Sequence, residues 1–294
     1  MIDSRPPIDD EVVRAYLDRL GLDAEPPSLD ALRQLHRAQV ERVPYETLWI
    51  HAGEVWGLDP RGSIDRIVHE GRGGYCFHLN GAFSELLRAL GYAVTRHVGG
   101  VHGPAGPDAE MLTNHLVLSV AGLPTSDNPG GTWYVDAGLG DALHDPLPLV
   151  AGPYEQGLYH LALEATADGV GDWHLTHDPA GSFTGMSWRA APTGMGAFAE
   201  RHEWLRSSPD SGFVRLASVQ RRDATGVDIM RGLVLTRVGA GTAPAAPLTE
   251  RHDWFGALAD VFGLRFERTA PEALDHLWTN VLAKHRAWER SGVV

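Results

Sequence analysis

Apolar residues recur every three to four positions through the first ninety residues of the chain and alternate thereafter. From Asp9 to Gly21, Val12, Val13, Tyr16, Leu17 and Leu20 fall on one side of a helix that Asp9 or Asp10 can cap. Ser28 opens a second helix whose apolar side is Leu29, Leu32, Leu35 and Ala38. Pro44 confines Val43 to extended backbone and ends it. Ile64 to Glu70 reads as a short helix leading into Arg72-Gly73-Gly74. From Cys76 the positions Cys76, Leu79, Ala82, Phe83, Leu86, Leu87 and Leu90 keep helical spacing until Gly91. Residues 1–91 therefore form a mainly helical layer.

After Gly91 the period changes to two. Tyr92 to Val98, His115 to Val120 and Trp133 to Gly138 read as strands, and the last two pair as an antiparallel hairpin around the turn-rich Pro124–Gly131 connection. Further strands cover Tyr159 to Ala165, Trp173 to His177 and Phe183 to Arg189, giving a closed or partly closed antiparallel β unit over residues 92–205. Residues 194–207 read as a helix. In the last part, 206–294, Val214 to Arg221 and Asp228 to Arg237 each read as one strand. Gly239 to Pro247 reads as a flexible loop, and Leu248 to Phe262 and Pro271 to Arg290 as helices. The chain shows no internal repeat.

At 294 residues the chain exceeds the usual single-domain size, so two or three tightly packed subdomains are expected. A hydrophobic content of 43% and a charged content of 21% read as globular. Lys plus Arg number 25 and Asp plus Glu 38, a net charge of −13. That balance argues against sequence-independent binding to nucleic acid or to anionic membranes, while leaving room for a local basic pocket. A single cysteine excludes an internal disulfide and fits a reducing compartment. No secretory pattern and no run of about 18 apolar residues is present, so a cytoplasmic protein without a membrane span is expected. Oligomeric state, a homodimer included, stays open.

The lone cysteine, Cys76, follows two glycines and stands at a predicted helix N-terminus, where free amides and the helix dipole favour an anion. A thiolate is such an anion, so the thiol is expected to titrate below its free value. The competing reading is a small buried hydrophobe. A nucleophilic cysteine works with a base and a group that orients the base. The chain order Cys76, His115, Asp136 offers such a set, with the histidine and the acid on paired strands. Asp136 is an acid inside an apolar, aromatic segment, and a buried carboxylate needs a partner. Set against this, the chain has 15 histidines, and an aspartate at a strand end can serve the backbone alone. One cysteine with scattered histidines lacks metal-ligand spacing, so no metal is expected.

Five segments resemble the arylamine N-acetyltransferases. Arg72-Gly73-Gly74-Tyr75-Cys76-Phe77-His78-Leu79-Asn80 is similar to their R-G-G-x-C-x-E-x-N signature, and Pro44-Tyr45-Glu46-Thr47-Leu48 to their P-F-E-N-L. Asn114-His115-Leu116 resembles their histidine strand, the stretch Trp133 to Gly140 their D-V-G-F-G segment, and Ser208 to Phe213 their H-P-x-S-x-F stretch. The order and approximate spacing match from about residue 40 to 220. The resemblance implies an α+β fold: an N-terminal helical bundle, a central antiparallel β-barrel and a C-terminal α/β lid around a cysteine-protease-like Cys-His-Asp core. It further implies a catalytic Cys76-His115-Asp136 triad and ping-pong acetyl transfer from acetyl-CoA, through an acetyl-cysteine, to an arylamine or arylhydrazine. Acetyl-CoA is then a co-substrate and not a resident cofactor.

By the same resemblance Tyr45, Leu139 and Phe213 line the acceptor pocket, where core filling is the alternative for Tyr45 and Phe213. Gly138 and Gly140 would let backbone approach CoA, where strand termination is the alternative. The departures are His78 for Glu, Thr47 for Asn, Ala137 for Val and Leu139 for Phe. The loss of an aromatic at Leu139 should loosen stacking on a flat amine. His78 is expected on a helix face or in a hydrogen bond, not in catalysis. The altered pocket also keeps open an amide synthase of the same fold, which closes macrolactams from carrier-bound chains. A papain- or transglutaminase-type cysteine hydrolase shares the triad and its chain order.

Overall fold

A computed structural model describes residues 6–167, 169–241 and 245–291. The N-terminal part consists of helices α1 (Asp10–Leu20), α2 (Leu29–Arg42), the one-turn α3 (Leu48–His51), α4 (Pro60–His69) and α5 (Cys76–Ala89), with the two-residue strand β1 (Tyr45–Glu46) between α2 and α3. Asp9 caps α1 by accepting from the Val12 amide, and Ser28 caps α2 by accepting from Ala31. The helix expected from Ile64 begins a turn earlier, because Asp59 caps it and Pro60 fills the first helical position, where a missing N–H costs nothing. Tyr16, Leu20, Leu32, Phe83 and Leu86 are buried together between these helices.

The middle of the chain is an eight-stranded antiparallel sheet: β2 (Ala93–His102), β3 (His115–Ala121), β4 (Trp133–Val135), β5 (Leu147–Pro148), β6 (Gly152–Gln156), β7 (Tyr159–Ala165), β8 (Trp173–Thr176) and β9 (Gly185–Pro192). The strand order is β5-β4-β3-β2-β9-β8-β7-β6. Its two edges, β5 and β6, are joined by residues 149–151 alone, so the sheet curls into a nearly closed barrel. Alternation divides β3 and β4 between two cores. Leu116, Leu118 and Val120 of β3 face out onto the N-terminal helices, whereas Val117 points in with Tyr134, Leu163, Leu175, Met186 and Trp188. The strand expected over 133–138 stops at Val135, because the Asp136 side chain accepts from the Gly138 amide and turns the chain.

Helix α6 (Ala199–Ser207) follows, and the C-terminal part departs from expectation in three places. The strand expected from Val214 begins only at Ser218 (β10, Ser218–Arg222); a short helix α7 (Gly212–Arg215), capped by Ser211, takes its first two positions. The strand expected over 228–237 is a hairpin, β11 (Gly226–Arg231) and β12 (Val234–Gly239), turning at Gly232 with φ +57°. Alternation on either side of that glycine masks the turn. In the expected 239–247 loop, Ala246–Pro247 form a short strand β13 against β12, and residues 242–244 lie outside the described residues. Helices α8 (Arg251–Phe262) and α9 (Pro271–Ser291) end the chain. The sheet runs β1-β10-β11-β12-β13, so β1 of the N-terminal stretch completes it. A third core joins Leu48 of α3 to Val219, Met230, Trp254, Leu258 and Leu277. Among the described residues no helix is long and apolar enough to cross a membrane.

Candidate active site

Cys76 is the first residue of α5, and the segment ahead of it is shaped by its glycines. A Cβ on Gly73 would stand 1.8 Å from the Pro44 carbonyl oxygen, and Gly74 has φ +141°. Only glycines let this segment lie against β1, where the Glu46 amide donates to the Gly74 carbonyl at 2.9 Å. Arg72 clamps the turn from beneath. Its Nε donates to Glu46 Oε1 at 2.9 Å and a terminal nitrogen to Glu54 Oε1 at 3.3 Å, while the guanidinium lies over the Trp56 and Phe266 rings. Both Arg72 and Glu46 are buried, so each charge depends on the other.

His115 opens β3 beside this helix, and Asp136 follows β4, its neighbour in the sheet. The His115 Nε2–H donates to Asp136 Oδ2 at 2.7 Å, and the same ring lies within reach of the Cys76 side chain. Asp136 is fully partnered. Oδ2 also accepts from the Tyr134 hydroxyl at 3.0 Å, and Oδ1 accepts from Asn80 Nδ2 at 2.7 Å and the Gly138 amide at 3.1 Å. Burial disfavours a charged imidazole at His115, but the Asp136 carboxylate and then Cys76 outweigh it, and the pKa rises to about 10. Cys76 Sγ itself lies 3.6 Å from the Asn114 carbonyl. The residues missed from sequence are the supports of Asp136. Asn80 stands one helical turn after Cys76, on the same face of α5, and Tyr134 two residues before Asp136 in the strand, so their spacings carried the signal.

A cavity of about 350 Å³ opens over Cys76 and His115. Tyr45, Leu139 and Phe213 all line it, with Tyr45 and Phe213 meeting edge to face at 6.3 Å between ring centres. Phe213 is held from behind: Lys284 of α9 donates to His51 Nδ1 at 3.3 Å, and the His51 Nε2–H donates to the Phe213 carbonyl at 2.9 Å. Burial and then Lys284 lower the His51 pKa to about 4, which keeps that relay neutral. Gly138 also lines the cavity; Gly140, with φ +78°, lies behind it against Gln220. His78 is fully buried on α5 among Trp49, Trp56, Tyr75 and His202, on a helix face as expected, and its ring nitrogens have no close side-chain partner. Burial, and then Arg66, hold its pKa well below the usual range. Among the described residues no group of three or more His, Cys, Asp or Glu side chains is arranged to hold a metal.

Known proteins are similar to this chain in sequence and fold. The chain is 28% identical over 251 residues to the pineal gland isozyme of arylamine N-acetyltransferase from Gallus gallus, covering 77% of this chain and 83% of that one. It is 37% identical over 145 residues to the arylamine N-acetyltransferase of Mycolicibacterium smegmatis, covering 48% and 51%. Among solved structures, the Mycobacterium marinum arylamine N-acetyltransferase in complex with CoA superposes with a TM-score of 0.80 at 25% identity, over 92% of this chain and 98% of that one. The Nocardia farcinica arylamine N-acetyltransferase superposes with a TM-score of 0.77 at 28% identity, over 92% and 95%. The family model described as N-acetyltransferase matches residues 28–270, and the chain belongs to the arylamine N-acetyltransferase family of acyltransferases.

Proposed function

We propose that this protein transfers an acetyl group from acetyl-CoA to an arylamine or arylhydrazine in two half-reactions, through an acetyl-cysteine at Cys76. The observation that carries the reading is the 2.7 Å bond from Asp136 to His115, which lines one cavity with Cys76. His115, as the imidazolium, already holds the proton and keeps Cys76 as a thiolate, which attacks the thioester carbonyl. The C–S bond to CoA breaks, and the CoA thiolate recovers the proton from the imidazolium. In the second half-reaction the amine attacks the acetyl-cysteine, His115 removes its proton, and the Cys76 sulfur leaves. Asp136 keeps the ring oriented and favours its charge while each proton is held. Tyr45, Leu139 and Phe213 bound the acceptor, and the backbone of Gly138 forms the cavity wall beside the sulfur, where the acyl donor approaches. A cavity of about 350 Å³ suits an amine of one or two rings, which favours this reading over closure of a large carrier-bound chain or cleavage of a peptide.

Intact mass after exposure to acetyl-CoA without acceptor tests it. One acetyl increment on the parent and none on Cys76→Ala is expected, with the increment cleared by an arylamine or hydrazine. An alkylatable Cys76 that takes no acetyl group overturns it.

A further inference from the structure

Four arginines stand on β10, β11 and β12, the central strands of the C-terminal sheet, and three of them are engaged. Arg237 pairs with Asp223 at 2.7 Å and with Asp228 at 2.9 Å, and Arg221 reaches Asp228 at 3.9 Å. Arg222 is buried and donates to the carbonyls of Gln156 at 2.8 Å and Gly226 at 3.0 Å. The fourth is Arg231, the last residue of β11. It is exposed, and among the described residues no hydrogen bond, ion pair or aromatic ring holds its side chain.

The register shows what Arg231 faces. It is opposite Ser218, and Gln220, two residues further along β10, is opposite Tyr45. Opposed residues of an antiparallel pair share a face, as do alternate residues of one strand. Tyr45, Ser218, Gln220 and Arg231 therefore share one side of the sheet, and all four line the cavity over Cys76 and His115. Asp228 alternates to the other side, where Arg221 and Arg237 share it. The cavity lining holds no carboxylate, and Asp136, behind His115, is fully partnered. Arg231 is thus a cation without a counter-charge in the wall of the catalytic cavity.

Size narrows the anion that would meet it. Taken as a sphere, a volume of about 350 Å³ is about 9 Å across, room for one substituted ring. CoA carries its phosphates beyond a pantetheine arm longer than that span, so with the thioester at Cys76 they lie outside this volume. An acid on the acceptor's own ring lies inside it. Guanidinium and carboxylate also match as a pair of parallel hydrogen bonds.

Resting on the acetyl-transfer reading of the same cavity, we propose that Arg231 determines acceptor choice by pairing with a carboxylate on the ring of an aromatic amine or hydrazine. The ring lies against Tyr45 and Phe213, its nitrogen faces Cys76, and its acid meets Arg231 beside the Ser218 hydroxyl.

Steady-state acetylation of 3- and 4-aminobenzoate, beside the neutral 3- and 4-aminobenzamides at saturating acetyl-CoA, tests it. For at least one isomer the parent should show a KM about tenfold lower for the acid than for the amide. Arg231→Gln should abolish that preference by raising KM for the acid, and Arg231→Lys, which keeps the charge, should restore part of it. Each variant is compared with itself on two acceptors, so any loss of folded enzyme cancels from the ratio. Equal KM values for acid and amide in the parent overturn the proposal, as does a preference for the acid that survives in Arg231→Gln. S-acetyl-N-acetylcysteamine, a thioester without phosphates, covers the other source of an anion. If Arg231→Gln slows acid and amide equally with acetyl-CoA, and neither with this donor, the arginine serves the phosphates of CoA and the proposal falls. If Cys76 takes no acetyl group, the transfer reading and this one fall together; if the amides are acetylated and the acids are not preferred, only this one falls.

Discussion

Gly138 lies directly on Cys76: a Cβ built on Gly138 would stand 2.8 Å from the Cys76 Cα and 2.9 Å from Asn80 Nδ2. The chain that leaves Asp136 thus runs over the first turn of α5 with room for a hydrogen and nothing larger. Gly138→Ala forces one of the two to move, at a cost of about 1–3 kcal/mol, and shifts Cys76 relative to His115. A lower thermal midpoint and slower alkylation of Cys76 by iodoacetamide are expected. A variant with parental values in both would show that the contact has slack.

Asp136→Asn tests how the base is held. Asp136 accepts from His115, Tyr134, Asn80 and the Gly138 amide, and an amide in its place must turn an N–H toward two of those donors. The ring loses both its orientation and the charge that favours its protonated form. Acetylation of Cys76 by acetyl-CoA should fall by about ten-thousandfold, the scale seen when a triad acid is neutralised. Rapid-quench mass spectrometry of the first half-reaction measures it directly.

The same histidine sets a pH dependence of stability. Its pKa is raised to about 10 in the folded chain, chiefly by Asp136 against the pull of burial, from an ordinary value of 6.5. The folded state therefore binds the proton more tightly than the unfolded one. Its contribution to stability is fully present below about pH 6.5 and is lost as pH rises toward 10. Chemical denaturation at a series of pH values should show stability declining across that window, with a shallower decline in Asp136→Asn.

Arg72 and Glu46 form the buried pair under the glycine turn, with side chains 3% and 0% exposed. Removing one partner strands the other. Arg72→Met leaves Glu46 charged among apolar groups and should cost about 3–5 kcal/mol, enough to lower expression or unfold the N-terminal part. Thermal unfolding of Arg72→Met beside the double variant Arg72→Met with Glu46→Gln separates the causes. The double variant should recover part of the loss.

Cys76, His115 and Asp136 were legible because each breaks its local pattern: a lone thiol behind two glycines, a histidine at a strand start, an acid in an aromatic strand. The amphipathic helices and the alternating strands of the barrel were legible for the same reason, since burial on one face writes a period into the chain. What escaped depended on tertiary partners. Gly232 turns a strand whose alternation continues on both sides, so no change of period marks it. β1, two residues long, is a strand only because β10 runs beside it. The crowding at Gly138 and the saturation of Asp136 by Asn80 and Tyr134 exist only once α5 docks on the sheet.

Leu139 stands in the cavity wall with Tyr45 and Phe213, at the place of the phenylalanine in the D-V-G-F-G segment that this stretch resembles. Tyr45 and Phe213 meet edge to face, so a flat amine entering between them finds aliphatic surface on its third side. Leu139→Phe adds a ring there. An aromatic pair contributes about 0.5–1.5 kcal/mol beyond area burial, a factor of about two to twelve in binding. The variant should lower KM for planar arylamines by that factor, with little change for small aliphatic hydrazines, which have no ring to stack. Because Leu139 is only 7% exposed, the larger side chain must displace Leu139's apolar neighbours or project into the cavity. Acetylation of Cys76 without acceptor distinguishes the two outcomes. If it is unchanged while KM for arylamines falls, the ring has entered the acceptor pocket. If acetylation slows with every acceptor, the wall has moved against Cys76 and Leu139 is a packing residue, not a determinant of acceptor choice.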